Sequence, residues 1–302
     1  MANTSLPKHA SCWIGPLKSG SPISRWTVGY RTHKPTGFCK RGQQEFTSRN
    51  FSKSKGRHEA EVSQKDAPML GLQTFAENVS IVDGPPVRAV GVTFTTRMII
   101  VKLADGSLWV NSPVPVPADM LDRITASGPV RYLVAPTRMH VWRLEEWHGL
   151  FPDAELWGPP QIPNKFKRLP FAGILGDAPP QGWADDLDQL VFKGDLFIDE
   201  VLFFHEKSRT VILADFVQNR PIAKGKPFLN ALFKLAGVAY PHGGVALDIR
   251  LSFTNRNLAR QSLEKLLSWD FDKLIIAHGI CVEKDAKPFV ERAFRWLVRS
   301  PR

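Results

Sequence analysis

Two apolar runs in this chain end in side chains that can hold a metal ion. Val211-Ile212-Leu213-Ala214 leads into Asp215, and Leu274-Ile275-Ile276-Ala277 leads into His278. A third run, Arg131-Tyr132-Leu133-Val134-Ala135, breaks at Pro136 and is followed by Thr137, Arg138, Met139 and His140. Short apolar runs of this kind read as buried strands, and open α/β folds place functional groups where such strands end. His140, Asp215 and His278 are therefore the candidate metal ligands. Three protein donors with one open position for water are what a catalytic zinc requires, so these residues suffice for one zinc or iron ion and not for two.

Each of the three also has a structural reading. His140 can cap the following helix or hydrogen-bond its own loop, Asp215 can be an N-cap or turn acceptor, and His278 can anchor the junction with Gly279. On that reading the chain carries no metal. Arg138, in the same loop as His140, then offers positive charge to an anionic ligand.

The elements around these residues follow from hydrophobic spacing. Met98 to Leu103 and Leu108 to Val110 flank Asp105-Gly106, which suits a hairpin turn. Ala118 to Ala126 and Glu145 to Leu150 read as short helices, and Ala154 to Trp157 as a short strand. Residues 161 to 190 are proline-rich and read as loop, and Val201 to Phe204 pairs with Thr210 to Ala214. The series Ala259, Leu263, Leu266, Leu267 and the series Phe289, Ala293, Trp296, Leu297 each mark a helix with one buried face. Between about 221 and 253 lies an irregular, basic and aromatic insertion, whose Phe228, Leu232, Phe233 and Leu235 fall on one helical face and read as core.

Charge divides the chain. Residues 1 to 66 hold twelve Lys or Arg and four Asp or Glu, a surplus of eight, while the remaining 236 residues hold 28 and 25, a surplus of three. With no acid before Glu45, many Ser and Thr, and no continuous apolar core, this segment reads as a disordered organelle transit peptide for chloroplast or mitochondrion. Without such targeting the chain is expected in the cytoplasm. Residues 67 to 302 then form the folded domain, whose near-neutral balance gives no reason to expect a nucleic-acid partner. No apolar stretch reaches the ~20 residues needed for a transmembrane helix. Of three cysteines only Cys281 lies in the body, so neither a disulfide framework nor a cysteine zinc site can form there.

The order of these elements, with Pro136 to Trp147, Ser208-Arg209-Thr210 before Asp215, and Trp269-Asp270-Phe271 through Ala277-His278-Gly279, resembles the metallo-β-lactamase superfamily. More narrowly it resembles a family within it described only as a domain of unknown function. The resemblance spans roughly residues 70 to 298 and implies an α/β fold, a four-layer αββα sandwich with the site along one edge. Active members carry an H-x-H-x-D-H loop, whereas this chain has Pro136-Thr137-Arg138-Met139-His140-Val141-Trp142. Asn111 stands near the family's early acidic position, His205 is a further candidate ligand, and Asp215 and His278 match the bridging Asp and the final His. So reduced a ligand set points to an eroded metal site in a non-catalytic protein that binds a small molecule or a protein partner. The alternative is a mononuclear metal-dependent hydrolase using a coordinated water. Convergence of the two imidazoles and the carboxylate on one point is the geometric requirement of the second reading.

Overall fold

The computed structural model describes residues 71–298 apart from 90 and 91. The basic segment 1–66, expected to be a transit peptide, lies outside the described residues.

The first sheet has seven strands in sequence order: β1 (Leu72–Ala76), β2 (Val79–Ala89), β3 (Val92–Lys102), β4 (Leu108–Asn111), β5 (Val130–Val134), β6 (Glu155–Gly158) and β7 (Phe171–Ile174). β1 to β4 are antiparallel neighbours, and β4 to β7 run parallel. The turn between β3 and β4 contains Gly106 at φ +84°, as the Asp-Gly pair predicts. The second sheet has the order β13 (Lys273–Ile276), β10 (Thr210–Leu213), β9 (Glu200–His205), β8 (Leu187–Phe192). There β10 is antiparallel to β9 and parallel to β13.

Strand alternation builds the layers, because successive side chains point to opposite faces of a sheet. Trp109, Tyr132 and Val134 of the first sheet meet Val201, Phe203, Ile212 and Ile275 of the second in one core. Their sequence neighbours face outward. Val110 and Leu133 pack with Met120 and Ile124 of α1 (Ala118–Thr125) and with Leu144 and Trp147 of α2 (Leu144–Leu150). On the other side Leu202, Val211, Leu213, Leu274 and Ile276 pack with α5 (Arg256–Ser268) and α6 (Ala286–Ala293). The result is a four-layer αββα sandwich.

Two stretches differ from their sequence reading. Residues 161 to 190 contain β7 and the start of β8, and β8 reaches Phe192, because their prolines fall between the strands rather than inside them. The segment 221 to 253 is ordered into α3 (Pro227–Leu235), α4 (Leu247–Ser252) and the short strand β12 (Gly244–Val245), which pairs with β11 (Val217–Gln218). Of the aromatic and leucine stripe read there as core, only Phe233 is buried, while Phe228, Leu232 and Leu235 face solvent.

Candidate metal centre

Both sheets deliver side chains from the carboxyl ends of parallel strands. Ser112 follows β4, His140 follows β5, Asp215 follows β10 and His278 follows β13. His140, Asp215 and His278 each offer one ligand atom, and these atoms lie within 4.8 Å of one another. Among the described residues no second group of three His, Cys, Asp or Glu converges in this way.

The surrounding hydrogen bonds fix which nitrogen of each imidazole faces the centre. His278 Nδ1 lies 2.7 Å from the Thr95 carbonyl, an acceptor only, so Nδ1 carries the proton. Ser112 Oγ donates to Asn111 Oδ1 at 2.6 Å and therefore accepts from His140 Nδ1 at 2.7 Å, protonating that nitrogen too. In its neutral form each ring then turns a bare Nε2 toward the same carboxylate oxygen, Asp215 Oδ1, at 3.3 Å from His140 and 3.1 Å from His278. Lone pairs do not pack against a carboxylate, so either a proton on Nε2 or a metal ion lies between each ring and Asp215. Ligands about 2.0–2.1 Å from a tetrahedral ion are about 3.3 Å apart, a spacing that both histidine–carboxylate separations match. Asn111 thus ends the chain of hydrogen bonds that sets the His140 tautomer, with an amide doing what needs only an acceptor.

Asp215 is oriented just as tightly. Thr137 Oγ1 donates to Oδ2 at 2.6 Å, leaving Oδ1 for the histidines. The buried Glu200, at the start of β9, accepts the backbone N–H groups of Ala214 (2.5 Å), Asp215 (3.0 Å) and Phe216 (2.7 Å). Glu200 is not among the residues the sequence pattern singles out. The one signal available was the β9–β10 hairpin, whose antiparallel register carries position 200 to the end of β10.

Burial alone would raise the Asp215 pKa, but the two histidines overcome it and hold the carboxyl far below the usual range. Burial opposes charge on His140 as well, yet the Asp215 charge and hydrogen bond, with Glu200, keep its pKa above 6.5. A base whose pKa is raised by folding adds stability that is complete below 6.5 and is lost as pH rises through the folded value. In metal-free protein, proton–nitrogen correlation NMR should therefore show His140 titrating above 6.5. In Asp215→Asn, where burial is left largely unopposed, it should titrate below 6.5, and an unchanged midpoint would show that Asp215 is not the cause.

A third anchor is Arg97, buried on β3. Its Nε donates to Asp83 Oδ1 at 2.7 Å, and its Nη1 reaches the carbonyls of Ile276 (2.6 Å) and Gly279 (2.9 Å), gripping both ends of the turn that bears His278. Cys281 Sγ lies 2.9 Å from the same Nη1, and burial pushes its thiol pKa up, which leaves it poorly suited to act as a nucleophile.

A cavity of about 460 Å³ opens onto the three residues. Phe94, Pro113, Val114, Met139 and Trp142 give it apolar walls, and Arg88 and Arg143 stand at its exposed edge. His205 is not brought to the site. It closes β9 opposite Thr210, at the start of β10, so the antiparallel hairpin puts it at the far end from Asp215, where Nδ1 meets Ser208 Oγ at 2.7 Å. Arg138 also points elsewhere, toward the Phe197 carbonyl at 3.5 Å, and Arg88 and Arg143 hold the basic place it was expected to fill.

The family described as a domain of unknown function (DUF4336) matches residues 87–232. No curated protein matches the chain in sequence. Among solved structures, the DIM-1 metallo-β-lactamase aligns with a TM-score of 0.50 at 14% identity, over 76% of this chain and 99% of that one. VMB-1 aligns with a TM-score of 0.51 at 11% identity, over 76% and 98%. The metallo-β-lactamase FIM-1 from Pseudomonas aeruginosa, in its mono-zinc form, aligns with a TM-score of 0.50 at 10% identity, over 78% and 99%. The fold is that of the metallo-β-lactamases.

Proposed function

We propose that this chain is a mononuclear metal-dependent hydrolase whose substrate has an apolar body and an anionic group. The observation that carries the reading is the aim of both Nε2 atoms at one Asp215 oxygen, each ring with its Nδ1 committed elsewhere. His140, Asp215 and His278 would hold the ion, and two imidazoles with one carboxylate suit zinc or iron. Such an ion supplies Lewis acidity and lowers the pKa of a water it coordinates.

The chain's own residues account for the rest. Phe94, Met139 and Trp142 take the apolar part of the substrate and exclude water from it, while Arg88 and Arg143 attract the anionic part. Among the described residues lining this cavity, the only Asp, Glu, His, Lys, Cys or Tyr side chains are His140, Asp215 and His278. No further group stands there to protonate a departing atom, so the reading extends to activated esters, whose leaving groups depart as stable anions. The same lack favours a second reading, in which the pocket binds the anion without turning it over.

The test is elemental mass spectrometry of the full chain purified without chelator, with a panel of carboxylate-bearing thioesters and aryl esters. We expect about one zinc or iron per chain, absent in His278→Ala, and hydrolysis that disappears with it. A well-folded, metal-free protein without turnover would reject the enzyme reading. Metal without turnover on any activated ester would favour the second.

A further inference from the structure

Helix α3 is apolar on two adjacent faces, about 100° apart around its axis. Leu229, Phe233 and Ala236 face inward and pack with Val238 and Ala246. On the neighbouring, outward face Phe228, Leu232 and Leu235, spaced i, i+4, i+7, are 84%, 43% and 82% exposed. Burying that stripe would be favourable, and nothing among the described residues covers it.

Charge around the stripe is one-sided. Residues 216–247 contain Arg220, Lys224, Lys226 and Lys234 and not one Asp or Glu. The lysines lie just before the helix and within its last turn, all exposed. Asn230 binds both the N–H and the carbonyl of Ala223, at 3.0 and 2.8 Å, so the turn bearing Lys224 is tied to the helix. Ile222, 43% exposed, belongs to the same turn.

We propose that α3 docks on an anionic lipid bilayer, with Phe228, Leu232 and Leu235 entering the acyl boundary and Lys224, Lys226 and Lys234 among the headgroups. A surface-lying helix needs an apolar stripe flanked by long cationic side chains whose stems lie along it and whose ammonium groups reach the phosphates. A second copy of this chain fits poorly, since it would set lysine against lysine. A protein partner's anchoring side chains would need a pocket, and the outer face of α3 lines neither the cavity at the candidate metal centre nor the one beside Tyr132. α3 has nine residues, and no described helix is long and apolar enough to cross a membrane, so the contact is with the surface.

Docking there would place a bilayer next to the cavity. The Arg220 guanidinium sits 5.0 Å from the Phe233 ring on the inner face of α3 and 4.2 Å from Phe94, which forms a wall of the cavity. Its Nη1 donates to the Thr93 carbonyl at 2.9 Å, fixing it in that position.

The experiment is co-sedimentation of the full chain with vesicles of phosphatidylcholine alone and of phosphatidylcholine mixed with phosphatidylglycerol. Two variants at exposed positions accompany it, Phe228→Ser with Leu235→Ser, and Lys224→Glu with Lys226→Glu and Lys234→Glu, each checked for an unchanged thermal midpoint. We expect binding to the mixed vesicles only, weakened by added salt and about tenfold or more by either variant. The basic residues 1–66 will also be drawn to anionic vesicles, so binding that survives both variants undiminished would overturn the proposal. So would a chain that binds neither vesicle, or a dimer that Phe228→Ser with Leu235→Ser converts to monomer, which would assign the face to a second copy.

Discussion

Replacing Glu200 by Ala is expected to lower the stability of this domain by about 3 to 6 kcal/mol and its thermal midpoint by roughly 10 °C. The carboxylate is wholly buried and accepts three consecutive backbone N–H groups, from Ala214, Asp215 and Phe216. Truncation leaves those donors without partners, and each buried orphan costs about 1–3 kcal/mol before any cavity is counted. The loss is local as well as global, because the freed segment carries Asp215, and ion affinity should fall with it. Glu200→Gln should be intermediate, since its amide nitrogen must turn toward N–H groups it cannot accept. Burial, with the Asp215 charge, pushes the Glu200 pKa up to about 7 from 4.5. An acid whose pKa is raised by folding stabilises fully below 4.5 and loses that contribution as pH rises to about 7, a slope the Ala variant should lack. Denaturant melts across this range measure both effects. A Glu200→Ala midpoint within a few degrees of the parent would mean that the three N–H groups have other partners.

Gly279→Ala is expected to be nearly as damaging, and to damage the site first. Gly279 follows His278 at φ +118°, where a side chain is strained whatever the space. A Cβ there would stand 2.1 Å from the Asn219 carbonyl oxygen and 2.5 Å from its carbon. These are backbone atoms, held by Ile280 N to Asn219 O at 2.9 Å and Asn219 Nδ2 to Ile280 O at 2.9 Å, so no rotamer change relieves the clash. The turn must shift by about 1 Å, and the His278 imidazole with it, which should weaken ion binding by roughly 100-fold and cost about 3 kcal/mol. Gly149→Ala is the control, because its Cβ would meet nothing within 4 Å inside α2 and should slightly raise stability. Metal titration followed by calorimetry separates the two, and equal affinity in Gly279→Ala and the parent would show that the turn adapts.

Three of the groups at this site were legible in the sequence because each ends or closely follows an apolar run, a pattern that survives without knowledge of pairing. Glu200 and Arg97 were not legible, since each acts on a segment far along the chain. Arg97 reaches the Ile276 carbonyl across 179 positions, and nothing local distinguishes it from an ordinary strand arginine. His205 was misplaced for a related reason. The family resemblance offered it as a ligand only ten residues before Asp215, yet the β9–β10 hairpin sends the two to opposite ends of the sheet. β2 was obscured by Pro85 and Pro86, which sit where its register against β3 slips between Gly84 and Val87 and so leave the ladder intact on either side. The outward stripe of α3 shows the remaining limit: helical spacing reports that a face is apolar, not what covers it.

The proposed ligand groups stand far apart in the chain, 75 positions from His140 to Asp215 and 63 more to His278, and they come from both sheets. In compact metal modules whose donors lie a few residues apart, the ion gathers the chain and drives its folding. If the proposed site holds an ion, the order here is the reverse. No partial structure lacking β13 against β10 has the third donor in place, so both layers would assemble before any ion is bound. Loading would then be a separate late event, in which the finished protein meets whatever ions its surroundings offer at that moment.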